Sequence, residues 1–219
     1  LRDRDSGPAT PARAKGADMR EAEIQRHADA IEKDGFTILP GVFSPERART
    51  FRERIRQAER DTLRPLEPGE TEEDSSFYRT AGLLRIDPVF WDVPTDPTIT
   101  TILESVLGPD FLLSTFSGIA LKPNWKTIQP LHPDDALVPV SRPHERPIGC
   151  TAMWVVTDFN ERTGGTRLLP GSQREPLDLL FSQDEDRLKQ AIQPDLKPGS
   201  VLLYDHALFH GGSNNYSDE

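Results

Sequence analysis

Apolar residues recur at helical spacing in the first half of the chain and in short β-rich runs in the second. Ile24, Ala28 and Ile31 share one face of a helix predicted over Met19–Lys33, which Gly35 stops. FTILPGVF reads as a short strand entering a turn, and Ser44-Pro45 then supplies an N-cap and a first-turn proline for a charged helix reaching about Asp61. Phe51 and Ile55 lie on one side of that helix. PLEPGETEEDSS reads as a solvated loop, and TITTILESVLGPD as a third helix closed by Gly108.

From there the pattern changes to FLLSTFSGIAL, GCTAMWVVTDF, TRLLP and SVLLYD, separated by the turns KPNW, ERTGG, LPGSQ and LKPGS. Turns this short connect antiparallel strands. The predicted class is mainly β with flanking helices, a jelly-roll or barrel core with the helices packed outside it. No internal repeat is found. The opening LRDRDSGPATPARAKGAD is polar and aperiodic, so residues 1–18 are expected to form a flexible leader and 19–219 a single domain.

Charge narrows the partners. A net charge of -10 disfavours nucleic acid and anionic membrane, and no apolar stretch approaches the roughly 18 residues of a membrane span. The single cysteine, Cys150, cannot form an intrachain disulfide, so a cytoplasmic setting is the default.

The chemistry gathers in QPLHPDDALV, where His132 precedes Asp134 by two residues. In a strand, residues two apart project from one face, so both side chains reach one ion while Asp135 points away. Pro133 restricts the segment to a strand end or an edge. His27 and Asp29 repeat the spacing inside a predicted helix, where residues two apart diverge by roughly 200°, so that pair is a decoy. A third ligand must come from the remaining histidines. His144 sits in SRPHERP and reads as a solvated loop residue, whereas His210 opens HGGSNN, whose glycines allow close backbone approach. His206 and His210 are four apart, a zinc spacing on a helix, but KPGSVLLYDHALF favours a strand. Spacing alone leaves metal binding and a structural histidine–acid pair both open.

The order of DGFTILPGVFSPE, ILESVLGPDFLL, QPLHPDD, MWVVTDFNERTGGTRLLPGSQ and KPGSVLLYDHALFHGGSNNYSD resembles the phytanoyl-CoA dioxygenase family, from about Asp34 to the end. The resemblance implies a double-stranded β-helix (jelly-roll, cupin-like) core and an oxygenase that uses iron(II), 2-oxoglutarate and O2. It makes His132, Asp134 and His210 the metal-holding and catalytic triad. Oxidative decarboxylation to succinate and carbon dioxide, with hydroxylation of a small-molecule, secondary-metabolite-like substrate, is the implied outcome. Related halogenases carry a small residue where Asp134 stands, which disfavours halogenation. Trp154, Ser213, the Gly212 backbone, Gln129 and Lys122 are the implied co-substrate contacts, with core packing the alternative for Trp154. Phe77, Tyr78, Arg79, Arg85 and Trp125 are candidates for the substrate pocket, and a CoA ester is disfavoured because no dense basic cluster lies outside the leader.

The family's arginine for the distal 2-oxoglutarate carboxylate falls about ten residues beyond the second histidine. It is expected past Glu219, in a continuation of the chain, with Arg167 and Arg85 as in-chain substitutes. Two other functions compete: a non-catalytic jelly-roll metal-binding protein, and a zinc hydrolase using His206 and His210.

Overall fold

A computed structural model describes residues 21–62, 77–126, 128–136, 138–178 and 185–218; the predicted leader and the whole PLEPGETEEDSS stretch lie outside them. Helix α1 (Glu21–Asp34) closes on Gly35, whose φ of 86° is left-handed and whose N–H reaches the Ile31 carbonyl at 2.9 Å. Strand β1 (Phe36–Leu39) follows, then α2 (Pro45–Thr62), where the Ser44 hydroxyl accepts the Arg47 N–H at 3.2 Å. The decoy pair separates on α1: His27 meets Thr37 at 2.8 Å, and Asp29 accepts from Gln25 at 2.7 Å.

FYRTA, to which no element was assigned from the sequence, forms β2 (Phe77–Ala81), followed by a single helical turn, α3 (Leu83–Ile86). Helix α4 (Pro97–Leu107) begins at Asp96, whose carboxylate accepts from Thr98 and Ile99 at 3.0 and 3.2 Å. The β-rich run FLLSTFSGIAL after it forms a strand in only its second part, β3 (Ser117–Leu121), and leaves Leu112 and Leu113 exposed. The remaining elements are β4 (Cys150–Trp154), β5 (Arg167–Leu168), a short α5 (Glu185–Leu188), β6 (Val201–Asp205) and β7 (His210–Gly211).

All named strand pairings are antiparallel: a sheet β1-β6-β4 and the pairs β2-β3 and β5-β7. β6 is the central strand, buried at every position, which accounts for its unbroken apolar run. Its alternation divides the interior in two. Val201 and Leu203 face a cluster built from α1, α2 and α4, including Ile31, Phe51 and Ile102. Leu202 and Tyr204 face a second cluster with Leu168, Leu208 and Met153. The metal-binding candidates lie on this second side.

One composition-based expectation is corrected. Arg49, Arg52, Arg56 and Arg60 line one groove on α2, a basic grouping outside the leader, interrupted by Glu53. Spacings of three and four residues put them on one helical face. Among the described residues, no helix is long and apolar enough to cross a membrane.

Candidate metal centre

His132 and His210 meet as a single antiparallel bridge, each donating its N–H to the other's carbonyl at 2.9 and 3.0 Å. Directly opposed residues carry their side chains on one face, and the two imidazole centres stand 4.8 Å apart. In both rings Nδ1 lies 2.9 Å from the carbonyl two residues upstream, Pro130 for His132 and Leu208 for His210. A carbonyl only accepts, so Nδ1 holds the proton and Nε2 presents its lone pair. Burial, above all, pushes His210 below the ordinary imidazole value, which keeps the ring neutral at neutral pH.

Asp134 does not lie on a strand, contrary to expectation, because the ladder ends where Pro133 has no N–H to give. The chain turns instead, and the N–H groups of Asp134 and Asp135 both point at the His206 carbonyl, at 2.7 and 3.3 Å. The turn still separates the two acids. Asp134 joins the imidazoles, with Oδ1 3.7 Å from His210 Nε2, while Asp135 is buried with Arg142 and His144.

Donor atoms of His132, Asp134 and His210 all lie within 4.8 Å of one another. Two imidazoles and one carboxylate with open positions are the donor set of a non-haem iron facial triad. Ligands about 2.1 Å from a metal and at right angles to each other stand roughly 3 Å apart, so the 3.7 Å gap closes with less than an ångström of side-chain movement. The residues fit a divalent metal. The Asp134 side chain, 37% exposed beside a His210 that is 8% exposed, leaves one side of the centre open to a ligand.

Thr151 and Tyr204 are cross-strand partners on β4 and β6 and were not singled out from the sequence. The Tyr204 hydroxyl lies 3.3 Å from His210 Nε2, and the Thr151 hydroxyl points at Asp134 Oδ2 from 3.5 Å. Burial, reinforced by the Asp134 charge, holds the phenol protonated far above its usual range. Finding these two requires the β4–β6 register, which a single sequence does not show.

Each of the expected co-substrate contacts has a definite place in the structure. Trp154 faces the helix-backed cluster, 5.0 Å from the Phe43 ring and on the opposite side of β4 from Thr151, so core packing replaces the pocket role. The Gln129 amide oxygen accepts the Gly212 N–H at 2.9 Å, and the Gly212 carbonyl accepts the Gln129 N–H at 3.0 Å. These groups hold each other. The Ser213 N–H reaches the Gly164 carbonyl at 3.4 Å, and the Lys122 ammonium lies 5.4 Å from the Trp125 ring centre. Arg167 donates to the Gln129 carbonyl, and Arg85 is exposed on α3.

Two histidine expectations also change. His144 is not a solvated loop residue: its side chain is 5% exposed, and Nε2 lies 2.6 Å from Asp135 Oδ2. His206 follows β6 in a turn, so it shares no helical face with His210. The only metal-capable group among the described residues is the His132, Asp134, His210 set.

The family model described as phytanoyl-CoA dioxygenase matches residues 31–219. The chain belongs to that family. Among its relatives, the ectoine dioxygenase of Bordetella parapertussis is 24% identical over a 243-residue alignment covering 96% of this chain and 75% of the relative. Dioxygenase cdmA of Talaromyces verruculosus is 26% identical over 205 residues, covering 87% and 67%. The fold is shared with the epimerase SnoN from nogalamycin biosynthesis, solved with Fe3+, alpha ketoglutarate and nogalamycin RO, at a TM-score of 0.71 and 18% identity over 90% of this chain and 80% of that one. It is shared also with EvdO2 from Micromonospora carbonacea var. aurantiaca, solved with 2-oxoglutarate, at a TM-score of 0.66 and 21% identity over 89% and 85%.

Proposed function

We propose that this protein is an iron(II)- and 2-oxoglutarate-dependent dioxygenase that hydroxylates a small molecule of the secondary-metabolite kind. The observation that carries the reading is the convergence of His132, Asp134 and His210, with both imidazoles held as Nε2 donors by backbone carbonyls. Relatives named as dioxygenases, and similar structures solved with 2-oxoglutarate, support it. The antiparallel pairing around β6 supports a double-stranded β-helix core within one domain, and a reducing cytoplasm suits the free Cys150.

When bound, the metal and 2-oxoglutarate supply the oxidising chemistry, with succinate and carbon dioxide as by-products. The chain's own part is placement. The Pro130 and Leu208 carbonyls fix the ring orientations of His132 and His210. Thr151 engages Asp134 Oδ2, which leaves Oδ1 as the carboxylate atom turned towards His210. The Tyr204 phenol keeps its proton and offers a donor on the floor of the site.

Anaerobic iron(II) titration and succinate release test the reading. Asp134→Ala removes the sole anionic ligand and is expected to weaken metal binding and succinate formation by more than about 100-fold, beyond what loss of a supporting group causes. Asp29→Ala, in the decoy on α1, should leave both unchanged. Succinate formation surviving in Asp134→Ala would sink the ligand assignment.

A further inference from the structure

Asp135, Arg142 and His144 form an ionic cluster on the side of the Asp134 turn away from the two imidazoles. Their side chains are 1%, 4% and 5% exposed. His144 Nε2 stands 2.6 Å and Arg142 Nε 3.4 Å from Asp135 Oδ2. Arg142 also donates to the Ala207 carbonyl and lies 5.3 Å from the centre of the Phe209 ring. Ala207 and Phe209 belong to the turn between β6 and His210, and Asp135 is the neighbour of Asp134. The cluster therefore grips the segment that bears one proposed ligand and the segment that ends in another.

We propose that Asp135, Arg142 and His144 are positioning residues for the metal centre: they lock the Asp134 turn onto the turn preceding His210 and so set the separation of the carboxylate and the imidazole. The proposal rests on the triad reading above. Metal sites need their ligands within about 0.5 Å of the productive geometry, and two turns without ladder hydrogen bonds do not hold that tolerance unaided. The shared His206 carbonyl already ties both acids to the turn preceding His210, and the charged cluster adds a second, buried attachment from the opposite side. It also explains the doubled aspartate. One acid faces the ion and its neighbour faces the scaffold, a division that the turn after Pro133 imposes.

Charge and packing both enter. Asp135 is acceptor-only when ionised, while Arg142 and His144 bring donors, so replacing Asp135 or His144 by an apolar residue leaves buried polar groups without partners. Gly149 belongs to the same arrangement, because a Cβ there would clash with the imidazole of His206, the residue whose carbonyl receives both aspartate N–H groups.

The test is anaerobic iron(II) titration of metal-stripped protein, with thermal unfolding measured alongside. His144→Leu and Asp135→Asn are expected to raise the metal Kd about 10- to 100-fold, the range for groups that orient ligands. His144→Gln, which restores a donor to Asp135, should recover most of the affinity. Leu103→Ala, in the helix-backed core, is the control: it lowers the unfolding temperature and leaves Kd within about twofold. If His144→Leu fails to fold, the comparison of His144→Gln and Asp135→Asn with the wild type still decides. A Kd within twofold of wild type in folded Asp135→Asn and His144 variants, with only stability lowered, would overturn the proposal. Asp134→Ala, run in parallel, keeps the two readings apart: if it too binds metal normally, the triad assignment fails, and if it alone loses metal, only the clamp fails.

Discussion

Substituting Gly211 by alanine adds one methyl group at the point where the strands of the metal centre touch. Gly211 has no left-handed φ, so alanine adopts the same backbone and the effect is steric. The new Cβ would sit 2.9 Å from the Pro130 carbonyl oxygen and 3.0 Å from that of Gln129, both backbone atoms of the segment leading to His132. Ordinary contact is nearer 3.5 Å, so the strands must part by about 0.5 Å. Overpacking of this kind costs roughly 1–3 kcal/mol, or about 2 to 12 °C in Tm for a chain of this size. The same push reaches chemistry, because the Pro130 carbonyl holds Nδ1 of His132 and the neighbouring rung is the His132–His210 bridge. Metal affinity should therefore fall by about tenfold or more. Chemical denaturation of the metal-free protein and anaerobic iron(II) titration measure the two effects. Wild-type stability and wild-type affinity in Gly211→Ala would show that the close approach is not what constrains the centre.

Three further outcomes follow from the same structure. Tyr204→Phe removes a hydroxyl that competes, from 3.3 Å, for the Nε2 lone pair of His210; losing one hydrogen bond of about 0.5–1.5 kcal/mol should tighten metal binding by about 2- to 10-fold, and weaker binding in the titration would refute the competition. Burial raises the Asp205 carboxyl above its ordinary value, so folding is penalised once pH rises through the folded pKa and unpenalised below the unfolded one. Asp205→Asn keeps an acceptor for the Ala207 N–H at 2.9 Å and should raise Tm at pH 7, with the gain vanishing as pH falls towards about 4; a constant offset across pH would contradict that assignment. Burial also pushes the Cys150 thiol far up, so alkylation monitored by mass should be slow in the native protein and fast in denaturant.

The three long helices were legible because their signals are local: Ser44 caps, Gly35 and Gly108 stop, and apolar spacing marks the inner face. The convergent set was legible through the family resemblance, because the spacing of His132 and Asp134 alone fits a structural histidine–acid pair equally well. What failed depended on which face a buried strand presents. β4 has apolar neighbours on both sides, so alternation alone does not distinguish the face of Trp154 from that of Thr151. His144 misled for a related reason. SRPHERP is polar along the sequence, and its burial comes from Asp135, nine residues earlier, which the turn after Pro133 delivers to it. The strand β2 was hidden because its residues follow an acidic, turn-rich stretch whose composition dominated the reading.

The bridge between His132 and His210 joins positions about 80 residues apart, a separation whose loop-closure entropy is met late in folding. Neither half of the centre can assemble it alone, so a nascent or unfolded chain offers scattered weak donors where the finished fold offers a chelate. A metal held there would therefore discriminate between completed and incomplete molecules. By mass action, free metal at a hundredfold excess over its Kd adds about 2.7 kcal/mol to the folded state. On the iron-dependent function proposed above, iron starvation would act on this protein twice, silencing the centre and enlarging the unfolded fraction from which proteases draw.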